Sequence, residues 1–434
     1  MRMAAMLFAC AAVVAAQDLT HKAPAQEGPI ALVGGTVHPV SGPPIENGYV
    51  LFEQGRIRAI GKLPLDAKSV GVISFQGKHI YPGFIGAYTN LGLTEIGAVR
   101  ATRDFDEVGG LTPEVRAAVA VNPDSTLIPV TRSNGVLTFA TFPQGGAIPG
   151  RASLLRTDGW TWEDMAIRAD AGLVVNWPRA RPAYVPWQEG RRAAEDREKR
   201  IRKSLLRVEE AFARARGYVD ARRAGAGLST DIRWEAMRSA IEGKRPVFLL
   251  AQDYDAIVSA VDFAVRHRLK AVIVGGHDAW LCTDLLKRHD VGVIVRSLHR
   301  FPKRNDSDYD ETYRLPARLE AAGVRWCLAS GQPASNERNL PYAAARAAAY
   351  GLSREAALAS ITLYPARVLG VADQLGSLEK GKSATLFIAD GDPLEVATKI
   401  EMAFVDGRRI DLSNKQTKLY DKYRAKYRQL GLIK

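Results

Sequence analysis

Beyond its first sixteen residues, this 434-residue sequence has no apolar run approaching 18 residues, so no membrane-spanning helix is expected in the mature chain. Cysteine is scarce. Of three, Cys10 lies in the apolar N-terminal stretch, which leaves Cys282 and Cys327. In an oxidising compartment these two either pair or, because both sit in apolar surroundings (280-WLCTDLL-286 and 326-WCLAS-330), stay as two buried thiols. There is no G-x-S-x-G elbow, no P-loop and no complete dinucleotide fingerprint, and neither cysteine has a histidine near it in sequence. The formal net charge is +13, yet no zinc-finger spacing, aromatic RNA-binding signature or helix-turn-helix pattern accompanies it. A nucleic-acid partner would therefore rest on charge alone and is not expected. Much of the positive charge falls in 189–223, where acids interleave with bases at helical spacing, the pattern of a solvated helix face.

Hydrophobic content of 47% and charged content of 25% are globular values, and the length suits a large barrel with an accessory domain. Met1-Arg2 followed by 3-MAAMLFACAAVVAA-16 reads as a signal peptide, with small residues Val14-Ala15-Ala16 before a cleavage point at Gln17. Lipidation at Cys10 is the alternative, but Phe8 fits it poorly and the apolar run continues past the cysteine. A periplasmic or secreted location follows as an expectation.

Two kinds of rhythm divide the rest. Residues 29–35, 47–61 and 70–80 read as short strands with hairpin punctuation at Asn47-Gly48 and Gly55. Residues 383–394 and 400–412 repeat that style, with Asp406-Gly407 as a turn signal. Residues 28–80 and 373–412 are expected to combine in one small β-sandwich built from both ends of the chain. Between them, apolar runs alternate with helical patterns: 127-LIPV-130, 136-VLTFAT-141, 246-PVFLLA-251, 271-AVIVGG-276, 291-VGVIV-295 and 324-VRWCLAS-330. Short buried strands separated by helices predict a parallel sheet, and at this length a (β/α)8 barrel over 81–372. The stretch 100–180 is expected to form long loops, and 413–434 a basic tail.

This arrangement resembles the amidohydrolase superfamily, specifically a secreted branch near its imidazolonepropionase-like members. The resemblance covers roughly 28–412. Its opening signature, Pro-Gly-hydrophobic-Ile-Asp-Ala-His-x-His, is matched in frame by Pro82-Gly83-Phe84-Ile85-Gly86-Ala87-Tyr88-Thr89-Asn90, and its closing signature by 361-ITLYPARVLGVADQLGSLEKGKSATLFIADGDP-393. The segments 142–160 and 339–362 fit the branch.

The resemblance implies one or two divalent metals held by the paired histidines of the first barrel strand, by ligands on the middle strands and by an aspartate on the last. Such ligands fix a cation that acidifies water and polarises a carbonyl. Here the positions for the pair hold Tyr88 and Asn90, the middle-strand histidine is Leu250, Gln332 stands near the expected aspartate, and Gly86 replaces the acid before the pair. No lysine sits at a strand end to serve as a carboxylated bridge. His277 is the one surviving candidate for catalysis, with Asp278 either beside it or capping the following helix. Glu95, Arg132, Arg296 and His299 are possible accessory groups.

The expectation is thus an exported amidohydrolase-like protein that has lost most metal ligands. It would be non-catalytic or weakly active, without a metal cofactor, and would act as a scaffold or as a partner subunit in a homo-oligomer or a hetero-oligomer with an active homologue. The alternative is an active hydrolase of C–N bonds, cyclic amide or peptide-like, holding a divalent metal such as zinc through unconventional ligands.

Overall fold

The computed structural model describes residues 21–65, 70–179, 191–225 and 227–434, with no side chains described for 191–194. Residues 1–16, expected to be a signal peptide and including Cys10, lie outside the described residues.

Two eight-stranded sheets organise the chain. The first begins with β1 (Ile30–Val37), β2 (Ile45–Glu53), β3 (Arg56–Lys62), β4 (Gly71–Ser74) and β5 (His79–Pro82). The second comprises β6 (Phe84–Thr89), β7 (Val136–Thr141), β8 (Gly150–Arg156), β9 (Ala166–Val175), β10 (Val247–Ala251), β11 (Ala271–Gly275), β12 (Gly292–Arg296) and β13 (Trp326–Ala329). The chain then returns to the first sheet through β14 (Leu386–Ala389), β15 (Ile400–Val405) and β16 (Arg408–Ile410). β14 lies antiparallel to β5, with Leu386 opposite Pro82 and Ala389 opposite His79, so strands from both ends of the chain share one sheet. Leu32, Phe52, Ile80, Leu386 and Phe404 form its dry side, and the Phe52 and Phe404 rings meet edge to face at 5.1 Å.

The second sheet is a nearly closed barrel in a mixed α/β fold, and it differs from eight identical βα units. β6–β7 and every pair from β9 to β13 are parallel, but β8 runs antiparallel to both its neighbours. The run 136–141 forms β7 as expected, but the rest of 100–180, expected to be long loops, also supplies β8 and β9. Gly145 and Gly146, both at positive φ, lie in the segment that turns β7 back into β8. The short helix between β8 and β9 is fixed by a capping box between Thr161 and Asp164. A second correction concerns 127-LIPV-130. It is not a strand but the start of α1 (Leu127–Arg132), because a short apolar run does not reveal its own period.

Helical crossovers cover the other side of the barrel. A 33-residue helix over Arg191–Arg223 buries Val208, Phe212, Ala215 and Val219, spaced at i, i+4, i+7 and i+11, while most of its first half is exposed. The solvated reading of 189–223 therefore holds only for that half.

β13 and β6 are not hydrogen-bonded to each other. The backbone of residues 360–361 lies in the gap, where Leu328 N–H donates to the Ser360 carbonyl at 2.9 Å and Ile85 N–H to the Ile361 carbonyl at 2.8 Å. At the C-terminal end of the gap, Ser330 Oγ donates to Glu337 Oε2 at 2.5 Å, and Thr89 makes a second hydrogen bond to that carboxyl. Glu337 is fully buried. A Cβ on Gly86 would lie 2.7 Å from Glu337 Oε1, so glycine at 86 is what allows the acid to be there. Gly86→Ala is expected to destabilise the fold by about 1–3 kcal/mol, the range for overpacking. In a Glu337→Ala background that penalty should shrink, as a denaturation double-mutant cycle would register.

Candidate functional site at the barrel mouth

The C-terminal ends of the parallel strands carry most of the residues singled out in the sequence. The β6–β7 register shifts between Gly86 and Thr89, and Tyr88 is 7% exposed with its ring 4.6 Å from that of Phe142. The Arg296 guanidinium lies over the Tyr88 ring, 4.1 Å from its centroid, and Phe142 meets Phe248 edge-on at 5.0 Å. A cation and three aromatic rings thus form one stack across the barrel interior, with Leu250 packed against the same cluster. Asn90 is used locally, its amide donating to Thr94 Oγ1 at 3.1 Å. Gln332 follows Gly331, which sits at positive φ and accepts through its carbonyl from Ser297 Oγ at 3.1 Å, tying the ends of β12 and β13 together.

His277 follows β11 and is 8% exposed. It makes a hydrogen bond to the backbone of Arg296, while its Nδ1 has no partner among the described residues. Burial, then the charges of Arg300, Lys303 and Arg296, push its pKa down to about 3. The imidazole is therefore neutral at any ordinary pH.

Asp278 does not complete a pair with it. Its carboxylate accepts from Tyr254 N–H at 3.1 Å, at the start of the helix after β10, and from Arg304 at 3.1 Å. Arg304 also donates to Glu311 at 2.8 Å. The cap expected on the segment after Asp278 is absent; that segment opens with a 3-10 turn over Ala279–Leu281 with no side-chain cap.

The accessory candidates scatter. His299 is exposed, its ring 6.2 Å from Tyr313. Arg132 is buried ahead of β7, at the opposite end of the barrel, with the Thr157 carbonyl at 3.2 Å and Asp158 at 3.6 Å. Glu95 accepts from Thr126 Oγ1 at 3.5 Å beside α1, its pKa raised by burial. Cys282 and Cys327 are both free and buried, which settles the open choice between pairing and two thiols.

Two features escaped the sequence reading. Arg300, Lys303 and Arg304, in 296-RSLHRFPKR-304, surround the mouth with positive charge. Glu337, seven residues after Ser330, is a buried acid whose only sequence signal is its place after a strand end.

The donor set does not suit a divalent metal. Among the described residues no group of three or more His, Cys, Asp or Glu side chains is placed to hold one. Among the described residues His277 is the one buried histidine, and the Leu250 side chain has no donor atom.

The amidohydrolase family profile matches residues 261–410. A curated relative, amidohydrolase tasK of Hapsidospora irregularis, is 25% identical over 398 residues, covering 83% of this chain; the chain spans 39% of that relative's length. Among solved structures, an amidohydrolase from Thermotoga maritima MSB8 superposes with a TM-score of 0.77 at 24% identity, over 88% of this chain and 99% of the other. An adenosine deaminase from Xanthomonas campestris with bound zinc gives 0.53 at 17% identity, over 94% and 100%. The profile match over 261–410, the curated relative and the shared fold together support the amidohydrolase superfamily for this chain.

Glu337 supplies a pH signature. Its pKa is raised to about 8, by burial first, with the Ser330 and Thr89 hydrogen bonds opposing. Below about pH 4.3, the usual glutamate value, both folded and unfolded chains hold the proton, and this group subtracts nothing from stability. Above it the unfolded chain ionises first. The folded chain keeps its proton until about 8. Stability should therefore fall across that window by at most about 1.4 kcal/mol per pH unit. Glu337→Gln should remove that slope in chemical denaturation between pH 5 and 8.

Proposed function

We propose that this chain is an exported amidohydrolase-like protein without a working metal centre, non-catalytic or weakly active, whose barrel mouth holds a small anionic ligand. In this reading it serves as a scaffold or partner subunit, either with itself or with an active homologue. The sheet drawn from both chain ends acts as a small composite sandwich beside the barrel, and residues 1–16 direct export to the periplasm or beyond.

One observation carries the reading: a neutral, buried His277 enclosed by Arg296, Arg300 and Lys303. A unit charge repels a like charge 4 Å away by about 4 kcal/mol at an effective dielectric of about 20, and a divalent ion doubles that. The collar therefore works against a metal and in favour of a carboxylate. Two of its members have buried nitrogens with no hydrogen-bond partner among the described residues, Arg296 Nε and one terminal nitrogen of Arg300. Desolvated guanidinium groups of this kind match the oxygens of an anion. The Tyr88 ring, buried and engaged by Arg296, supports the same view.

The alternative, a C–N hydrolase with a divalent metal on unconventional ligands, draws on the unpartnered Nδ1 of His277. Elemental analysis of the purified mature chain separates the two. Well under one zinc, manganese or iron per chain is expected, and a stoichiometric, tightly held metal would overturn the proposal. The Tyr88→His/Asn90→His double variant should likewise take up no metal, because Leu250 and the cationic collar remain.

A further inference from the structure

At the end of the barrel away from the mouth, a cavity of about 450 Å³ opens among the N-terminal ends of β10, β11 and β13. Its lining carries Arg168, Lys244, Arg245, Lys270, Arg325 and Arg367, against a single acid, Asp290. Some of this charge is already engaged. Arg168 donates to the Leu369 and Gly370 carbonyls at 3.3 and 3.1 Å, Arg325 to Asp290, and Lys244 pairs with Glu242 at 2.7 Å. Arg245, Lys270 and Arg367 have no ion pair among the described residues.

The N-terminal face of such a barrel ordinarily serves stability. Six cations converging from several elements are a poor device for that purpose, because each repels the others. Arg168 registers the strain: its pKa is lowered, by burial first and then by Arg245. Arg168, Arg245 and Arg325 are half-buried, while Lys244, Lys270 and Arg367 are exposed at the rim. Leu269, Val272 and Val368 give the cavity an apolar side. The volume falls in the range of small-molecule sites, about 300–1,000 Å³.

We propose that this cavity is a second binding site, for a small organic molecule bearing a diphosphate or longer polyphosphate group. Forked guanidinium donors on several sides match phosphate oxygens in a way that scattered surface lysines do not, and adjacent phosphates neutralise several cations at once. The apolar side takes the organic part. The site is independent of the mouth, which lies beyond the opposite ends of the same strands.

Isothermal titration of the mature chain with inorganic pyrophosphate and with orthophosphate, in low salt, tests this. Saturable 1:1 binding of pyrophosphate is expected, at least tenfold tighter than orthophosphate. Arg245→Glu and Lys270→Glu should each weaken it at least tenfold, with Arg245→Gln as the milder variant should Arg245→Glu fail to fold. Arg296→Ala, at the mouth, should leave it unchanged, which separates this site from the anion proposed there. The proposal is overturned if pyrophosphate does not bind, or if both anions bind alike and the variants change nothing. It is equally overturned if the Arg245 and Lys270 variants lose affinity only for single-stranded oligonucleotides, in which case the surface takes nucleic acid.

Discussion

The barrel depends on how its first and last strands are joined without pairing. A closed sheet satisfies every backbone donor and acceptor, whereas an open one exposes two edges. Here the edges of β6 and β13 are satisfied by an intervening backbone, with Ser360 and Ile361 accepting from Leu328 and Ile85. Glu337 then seals the upper end through Ser330 and Thr89. Everything at the mouth inherits its position from that closure. Tyr88 comes from β6, and the turn through Gly331 that links β13 to β12 holds Arg296 and Ser297 beside it.

The mouth shows how one frame accommodates opposite electrostatics. A metal centre gathers acids and neutral imidazoles around positive charge. This mouth gathers guanidinium groups around a neutral imidazole, and its acids, Asp278 and Glu311, are bound to Arg304. The side chains at the strand ends set that character, consistent with the general separation of fold from site.

Much of this was legible in the sequence, and the failures have physical causes. Runs such as 246-PVFLLA-251 and 271-AVIVGG-276 became strands because they are short, apolar and bounded by turns. The 127-LIPV-130 run has the same look but folds as one short helix, since four residues do not fix a period. The inverted β8 was hidden because the region around it lacks the helices that signal a parallel crossover. At the mouth, Tyr88 and Leu250 were found by alignment to a motif. The cationic collar was not, because charge from a loop acquires meaning only once folding brings it over a buried histidine. Glu337 was invisible for a related reason: its burial requires a glycine on a strand distant in sequence.

The pairing of β5 with β14 has a consequence for how the chain is made. Pro82 and its partner Leu386 are separated by about 300 residues, so the amino-terminal strands leave the ribosome tens of seconds before their neighbour exists, at about 5–20 residues per second. Through that interval β5 offers an unoccupied edge to any passing strand. Synthesis order alone makes the end of the chain the latch for its beginning. Truncations that spare the whole barrel would still leave that early sheet open, and chaperone dependence should track the delay rather than the stability of the finished fold.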